Sequence, residues 1–441
     1  MSDLPVLVVG AGPVGLAAAA HAHRRGLPVL VLEAGRSAGS AVSEWGHIRL
    51  FSPWSELVDP VAAELLDGVG WQRPEPTAYP TGADWVRSYL RPLADVLGSS
   101  VRYSHRVVGI SRQGRDRLVD AGRATAPFVA HVQAPAGEER IAVRAVVDAS
   151  GTWGTPNPLG GDGLPALGEA DRADRVTYGV PNLRDSGVRR RYAGKHVVVA
   201  GTGASAMNIL VELAALAEHE RQTRVSWLVR RGRVGDAFGG GEADQLVARG
   251  LLGQRARTAV DSGGVRILTS FRTSAVEDDG DGLLRLESFD GQILTAVDEV
   301  VSVTGYRPDL SWLSEVRLDL DPVLQAPRPL APLIDPNVHS CGTVYPHGAA
   351  ELGQPDQGFY LAGMKSYGRA TSFLALTGYE QVRSVVAAIA GDVAAAARVE
   401  LTLPETGVCG GAGLFDETAG DAGGCCGASG GTDVLTISGR R

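Results

Sequence analysis

The chain has 441 residues, a formal net charge of −8 and 58 glycines. That length holds two or three domains, and the acidic balance excludes nucleic acid as an expected partner. No uninterrupted apolar run reaches the roughly 18 residues of a membrane span, and no basic amphipathic stretch marks a membrane surface, so a soluble, cytoplasmic protein is expected. The N-terminal apolar run lacks the basic leader of a signal peptide. The glycine share suits several phosphate loops better than a fibrous repeat.

The first apolar run, Val6-Leu7-Val8-Val9, leads into Gly10-Ala11-Gly12-Pro13-Val14-Gly15 and then a helical stretch over 16–24. A pyrophosphate needs backbone N–H groups at close range. Gly10 permits the tight turn, Gly12 the approach of phosphate to backbone, and Gly15 the packing of helix on sheet. The helix aims the positive end of its dipole at the same point. A second strand, 28–32, ends in Glu33, at the offset expected of an acid that accepts the ribose hydroxyls and repels a 2′-phosphate. That residue, with Ala34 beside it, favours FAD or NAD over NADP.

A loop-rich stretch with Trp45, His47, Arg49, Phe51 and Trp54 follows, where Trp45, His47 and Arg49 are expected to line a flavin or substrate pocket. Helical periodicity returns over 84–97, and strands are expected at 101–110, 128–133 and 141–147. The last runs into Asp148-Ala149-Ser150-Gly151-Thr152-Trp153 and a Pro/Gly-rich crossover.

The glycine pattern then repeats. Val197-Val198-Val199-Ala200 precedes Gly201-Thr202-Gly203-Ala204-Ser205-Ala206 and a helix over 204–216. Ala206 replaces the third glycine, which the fingerprint tolerates. The next strand, 224–229, ends in Arg230-Arg231, with Arg233 beyond, and basic residues there suit the 2′-phosphate of NADPH. Two such loops in one chain point to an enzyme that holds two dinucleotides against each other. A strand over 299–303 meets Thr304-Gly305-Tyr306-Arg307-Pro308; another over 358–362 meets Gly363, ahead of a helix over 371–390. Alternating strands and helices predict an α/β fold of doubly wound parallel sheets with two Rossmann-like dinucleotide-binding domains. The NADPH domain (156–304) is inserted into the FAD domain (1–155 and 305–395). Residues 396–441 are expected to be a flexible Gly/Cys-rich tail, with too little apolar surface to offset ordering entropy.

Four elements together resemble the flavin-containing monooxygenase superfamily: the loops at Gly10 and Gly201, Ala149-Ser150-Gly151-Thr152, and Val303-Thr304-Gly305-Tyr306. The lead-in Tyr192-Ala193-Gly194-Lys195 resembles it too, and the resemblance covers roughly 3–395. It implies FAD at Gly10, Gly12, Gly15 and Glu33, with backbone near Val107, Gly305 and Gly363, and NADPH at Gly203, Ser205 and Arg230. It also implies a reduced flavin that reacts with O2 to oxygenate a soft nucleophile. Two of the family's features are missing: the Phe-x-Gly-x-x-x-His signature is replaced by Val176-Thr177-Tyr178-Gly179, and the expected asparagine near the flavin by Ile48-Arg49-Leu50-Phe51-Ser52. Lys365, Tyr367 and Arg369 follow the strand ending at Gly363 and either hold flavin or substrate or sit on a solvated loop.

All four cysteines lie at or beyond Cys341, so a redox pair of the disulfide-reductase kind is missing from the core. Cys341 is a candidate redox partner of the flavin or a small buried hydrophobe. Asp335, His339 and His347 around it are thin grounds for a zinc site. Cys409, Cys425 and Cys426 can converge on a thiophilic ion such as As(III) or Hg(II). The vicinal pair resembles the C-terminal Cys-Cys of mercuric reductases, and the whole chain resembles a bacterial branch of monooxygenase-like flavoproteins linked to arsenic resistance. The expected catalytic residues are Cys341, Lys365 and Arg49. The readings left open are an oxygenase, a thiol-linked flavin reductase and a metalloid-binding protein.

Overall fold

Pro13 supplies a preset φ at the start of the helix Pro13–Arg24, the alanine-rich run behind it has high helix propensity, and Gly26 (φ +67°) ends the turn after it. That helix belongs to a computed structural model describing residues 3–239, 241, 244, 246–336, 346–370 and 373–400. Cys341, Cys409, Cys425, Cys426 and His339, and the expected tail beyond residue 400, lie outside the described residues.

In chain order the strands are β1 (Val6–Val9), β2 (Val29–Leu32), β3 (Val101–Arg102), β4 (Arg106–Arg112), β5 (Phe128–Ala134), β6 (Gly137–Val143) and β7 (Ala145–Asp148). The chain continues through β8 (Val176–Tyr178), β9 (His196–Ala200), β10 (Arg224–Leu228), β11 (Arg266–Leu268), β12 (Thr273–Asp278), β13 (Leu284–Ser288), β14 (Ile293–Val297) and β15 (Glu299–Ser302), and returns as β16 (Phe359–Leu361). Two parallel sheets result, ordered β16-β7-β1-β2-β3 and β11-β10-β9-β15-β8. The second sheet is thus built between two strands, β7 and β16, that are neighbours in the first. An inserted Rossmann-like unit is the architecture.

Each sheet has two different covers. Val6 and Val8 of β1 face a core that includes the buried face of the helix Pro13–Arg24 and Val382, Val385 and Val386 of the helix Ala375–Ile389. Leu7 and Val9 face Phe128, Ala130 and Val132 of β5, in the antiparallel sheet β4-β5-β6. The inserted unit repeats this: Val197 and Val199 pack on the helix Ala204–His219, whereas Val198 and Ala200 pack on Val276, Leu284, Leu286, Leu294 and Val297 of the antiparallel sheet β12-β13-β14. Doubly wound sheets usually carry helices on both faces, whereas here an antiparallel sheet takes the second face in both units. The strand expected over 101–110 is also broken. Ser104 adopts φ 58° and separates parallel β3 from antiparallel β4. The strand expected over 141–147 divides at Arg144, where β6 leaves the antiparallel sheet and β7 enters the parallel one.

Candidate functional site

Both glycine loops emerge at the point where strand order reverses. Val9 is in register with Leu32 on one side and Asp148 on the other, and Ala200 with Leu228 and Ser302. Ligands of such sheets bind in the crevice at that switch point. The first glycines have the same geometry. Gly10 has φ +100° and a Cβ there would stand 2.8 Å from the Ala149 carbonyl; Gly201 has φ +127° and its Cβ would stand 2.4 Å from the Val303 carbonyl. Only glycine fits either position.

Gly12 and Gly203 are the opposite case. Each has extended backbone and caps its helix without a side-chain hydrogen bond, and a Cβ at either would meet nothing within 4 Å. An open approach to the first amides of a helix, in a crevice at the switch point, fits a pyrophosphate in both units. The third positions differ. A Cβ at Gly15 would lie 2.0 Å from the Gly10 carbonyl, whereas the Ala206 methyl is fully buried without conflict.

Around the first loop, Glu33 accepts the Ala11 amide at 2.7 Å through Oε2 and the Gly35 amide at 2.7 Å through Oε1, so its carboxylate is fixed beside the loop. Ala34 next to it is exposed. Ser150 donates to Asp148 Oδ1 at 2.6 Å, and Gly151 (φ +69°) has open space at its Cβ position. A Cβ on Gly363 (φ +69°) would touch Val14 at 3.4 Å, and the Gly363 amide is held by Gln381 at 2.7 Å. Pro13, Val14, Ser150, Gly151 and Gly363 are thereby brought to one edge of the first sheet.

Lys365 is not on a solvated loop. It is wholly buried, 2.7 Å from Asp148 Oδ2 and 3.1 Å from Ser150 Oγ, with Trp312 packed 4.4 Å from its ammonium. Tyr367 is buried too, whereas Arg369 is exposed. Val107 is buried in β4 opposite Val132.

The residues expected to line a flavin pocket after the first unit diverge. Trp45 packs over Gly82, whose Cβ would sit 2.8 Å from the indole. Arg49 donates to the Tyr79 carbonyl. His47 turns toward the inserted unit: burial lowers its pKa below 6.5, against a backbone hydrogen bond at Val180, and Arg184 lowers it further. His347 lies 2.8 Å from Gln381 Nε2, and among the described residues no group of three His, Cys, Asp or Glu could hold a metal.

Around the second loop, Ala204 opens the helix, Ser205 is exposed, and Trp227 donates to the Gly201 carbonyl at 2.7 Å. Arg230 stands at the rim of a cavity of about 350 Å³ together with Ala200, Gly201, Thr304 and Tyr306, and Arg231 follows it. The two linkers run side by side here, with the Asn157 amide on the Gly305 carbonyl at 2.9 Å and the Arg307 amide on the Thr155 carbonyl at 3.0 Å. Trp153 and Tyr306 stack across them at 4.8 Å, and Trp153 donates to Glu44 at 2.7 Å. Burial, and then the Glu44 charge, pushes the Tyr306 hydroxyl up to about 12. Sequence reading missed Asn157 and the Trp153–Tyr306 stack, because their partners come from the opposite linker.

A family model for pyridine nucleotide-disulphide oxidoreductases matches residues 4–327. The chain belongs to that family. The family is one of FAD/NAD(P)-dependent oxidoreductases, with FAD and NADPH as its typical cofactors. The ferredoxin–NADP reductase of Lactococcus lactis subsp. cremoris (strain SK11) is 26% identical over 223 residues, 49% of this chain and 54% of the relative. The chain thus spans about half the length of the curated relative it matches. Among solved structures, the bacillithiol disulfide reductase from Bacillus cereus superposes with a TM-score of 0.62 at 19% identity, covering 88% of this chain and 99% of that one. The FAD-bound cadaverine monooxygenase DfoA from Erwinia amylovora gives a TM-score of 0.62 at 13% identity, covering 92% and 99%. At these identities the likeness is one of fold. Among the described residues no helix is long and apolar enough to cross a membrane.

Proposed function

We propose that the chain is an NADPH-dependent flavoenzyme that oxygenates a small substrate at a soft atom, an arsenic, sulfur or nitrogen centre, with O2 as co-substrate. Gly10, Gly12, Pro13, Val14, Gly15, Glu33, Ala34, Ser150, Gly151 and Gly363 would hold FAD. Gly201, Gly203, Ala204, Ser205, Ala206 and Thr304 would hold NADPH, with Arg230 and Arg231 on its 2′-phosphate. FAD held there would supply two-electron transfer between NADPH and O2. The overall balance is NADPH, a proton, O2 and substrate giving NADP⁺, water and oxygenated substrate; one oxygen atom joins the substrate lone pair and the other leaves as water.

The chain's own residues sort and orient the cofactors. The fixed Glu33 carboxylate repels a 2′-phosphate at the first cradle, and the arginines at the β10 tip attract one at the second. The buried Lys365 ammonium, neutralised by Asp148, holds the Ser150 hydroxyl at the edge of the first cradle. The observation that carries the reading is a pair of open cradles at two switch points in a stretch, residues 4–327, that contains no cysteine. Electrons reaching the flavin have no thiol pair within that stretch to enter, which favours a diffusible acceptor.

The test is oxygen uptake by the FAD-loaded protein with NADPH and a panel of arsenite, organoarsenicals, thiols and amines. Substrate-stimulated uptake without an equal yield of hydrogen peroxide is expected, and equal peroxide with every compound would refute oxygenation. Replacing Cys341, Cys425 and Cys426 with serine separates the thiol-linked alternative, because flavin turnover survives in an oxygenase and stops in a thiol relay.

A further inference from the structure

The cavity beside Gly201 is lined by arginines from three separate segments: Arg230 after β10, Arg307 on the returning linker and Arg369 beyond β16. Asp162 is the one carboxylate in this lining; it is exposed and its Oδ1 accepts the Leu164 amide at 3.0 Å. Arg307 is held by neutral acceptors, Asn157 Oδ1 at 2.8 Å and the Gly163 carbonyl at 3.1 Å. Burial and then the facing Arg369 charge lower its pKa from the ordinary guanidinium value. Neither Arg307 nor Arg369 has a carboxylate within ion-pair distance among the described residues. Two guanidiniums turned to one cavity repel each other, and an anion between them replaces that repulsion with two charge-assisted pairs, for which the planar fork of arginine is suited.

We infer that Arg307 and Arg369 bind the oxyanion of the substrate, a small molecule bearing a carboxylate, phosphonate or arsonate group. This rests on the flavoenzyme reading, in which Arg230 serves the NADPH 2′-phosphate and Thr304 lies along the same nucleotide. Arg307 and Arg369 belong instead to the linker and to the segment that returns to the first sheet, where the two units meet. An anchor there would hold a substrate between the two cofactor cradles and leave its soft atom free.

Inorganic sulfate is the probe, and the FAD-loaded full chain is melted in sulfate against chloride at equal ionic strength, with saturating NADP⁺ present to fill the cofactor's own phosphate sites. Sulfate is expected to raise the wild-type Tm, since a ligand that binds only the folded state stabilises it. Arg369→Gln and Arg307→Lys should each raise the sulfate concentration needed by about tenfold or more, whereas Arg221→Gln, an exposed site outside the cavity lining, should not. Arg307→Lys keeps the charge and loses the fork, so the comparison survives if a neutral residue there destabilises the linker. Loss of the sulfate effect once NADP⁺ is bound would assign the arginines to the cofactor and overturn the inference. Equal responses of wild type and Arg369→Gln would overturn it as well. Failure of NADPH to bleach the flavin would overturn the flavoenzyme reading instead, and the sulfate titration would still decide the anion site.

Discussion

Replacing Gly12 with alanine separates folding from cofactor binding. The Gly12 backbone is extended (φ −79°), so alanine adopts it without strain, and its Cβ meets no protein atom within 4 Å. The apo protein should therefore keep its stability to within about 1 kcal/mol, the balance of a small N-cap loss and a small entropic gain. FAD binding should suffer far more. A methyl group in the open approach displaces the pyrophosphate from two backbone donors worth about 1.5–3 kcal/mol each. The affinity loss is then about 3–6 kcal/mol, or roughly two to four powers of ten. Gly15→Ala should behave in the reverse order. Its Cβ would lie 2.0 Å from the Gly10 carbonyl, a backbone-on-backbone conflict no rotamer relieves, and the apo fold itself should lose about 1–3 kcal/mol or more. Apo melting by circular dichroism and quenching of FAD fluorescence measure the two effects independently. Wild-type FAD affinity in Gly12→Ala, or a wild-type melting curve in Gly15→Ala, would refute this account of the first loop.

Gly203→Ala should retain FAD and lose NADPH-driven flavin reduction, with the Kd for NADPH raised about 100-fold by the same loss of phosphate contacts; stopped-flow bleaching at varied NADPH measures it. His196 is buried between Ser226 Oγ at 2.8 Å and the Ala296 carbonyl at 2.9 Å, and burial lowers its pKa below 6.5 despite the backbone hydrogen bond. The unfolded chain takes up the proton first, so this stability is complete above the ordinary value and is lost as pH falls toward the lowered one. The unfolding free energy should drop on acidification from neutral pH, by up to about 1.4 kcal/mol per pH unit for one such group, Tm should fall with it, and His196→Gln should flatten that slope. Lys365→Met leaves Asp148 buried and uncompensated and should cost about 3–5 kcal/mol in urea unfolding, most of it recovered when Asp148→Asn is added. A loss under about 1 kcal/mol would mean the pair is not buried as described.

The two cradles were legible because everything that makes them is local. Strand, glycines, helix and the following Glu33 or Arg230 fall within single short windows. The antiparallel covers were harder, although β13 carries their signature: Leu284 and Leu286 are buried while Arg285 and Glu287 form an ion pair between them. What hid them was that a helical cover and a sheet cover leave the same apolar runs in β1 and β9, since both faces are buried either way. Lys365 stayed open between a flavin or substrate contact and a solvated loop for a related reason. A lysine after a glycine turn suits either, and only Asp148, remote in sequence, removes the solvated loop. The cavity arginines come from three segments, so no window contains the pair whose mutual repulsion marks the site.

The central claim is that two open phosphate cradles hold a flavin and a nicotinamide for direct electron exchange. Anaerobic titration of the FAD-loaded protein with NADPH tests it most directly. The account predicts stoichiometric retention of FAD and loss of its visible absorbance as NADPH is added, with NADH far less effective. Protein that retains no FAD, or retained FAD that NADPH leaves oxidised, would contradict it.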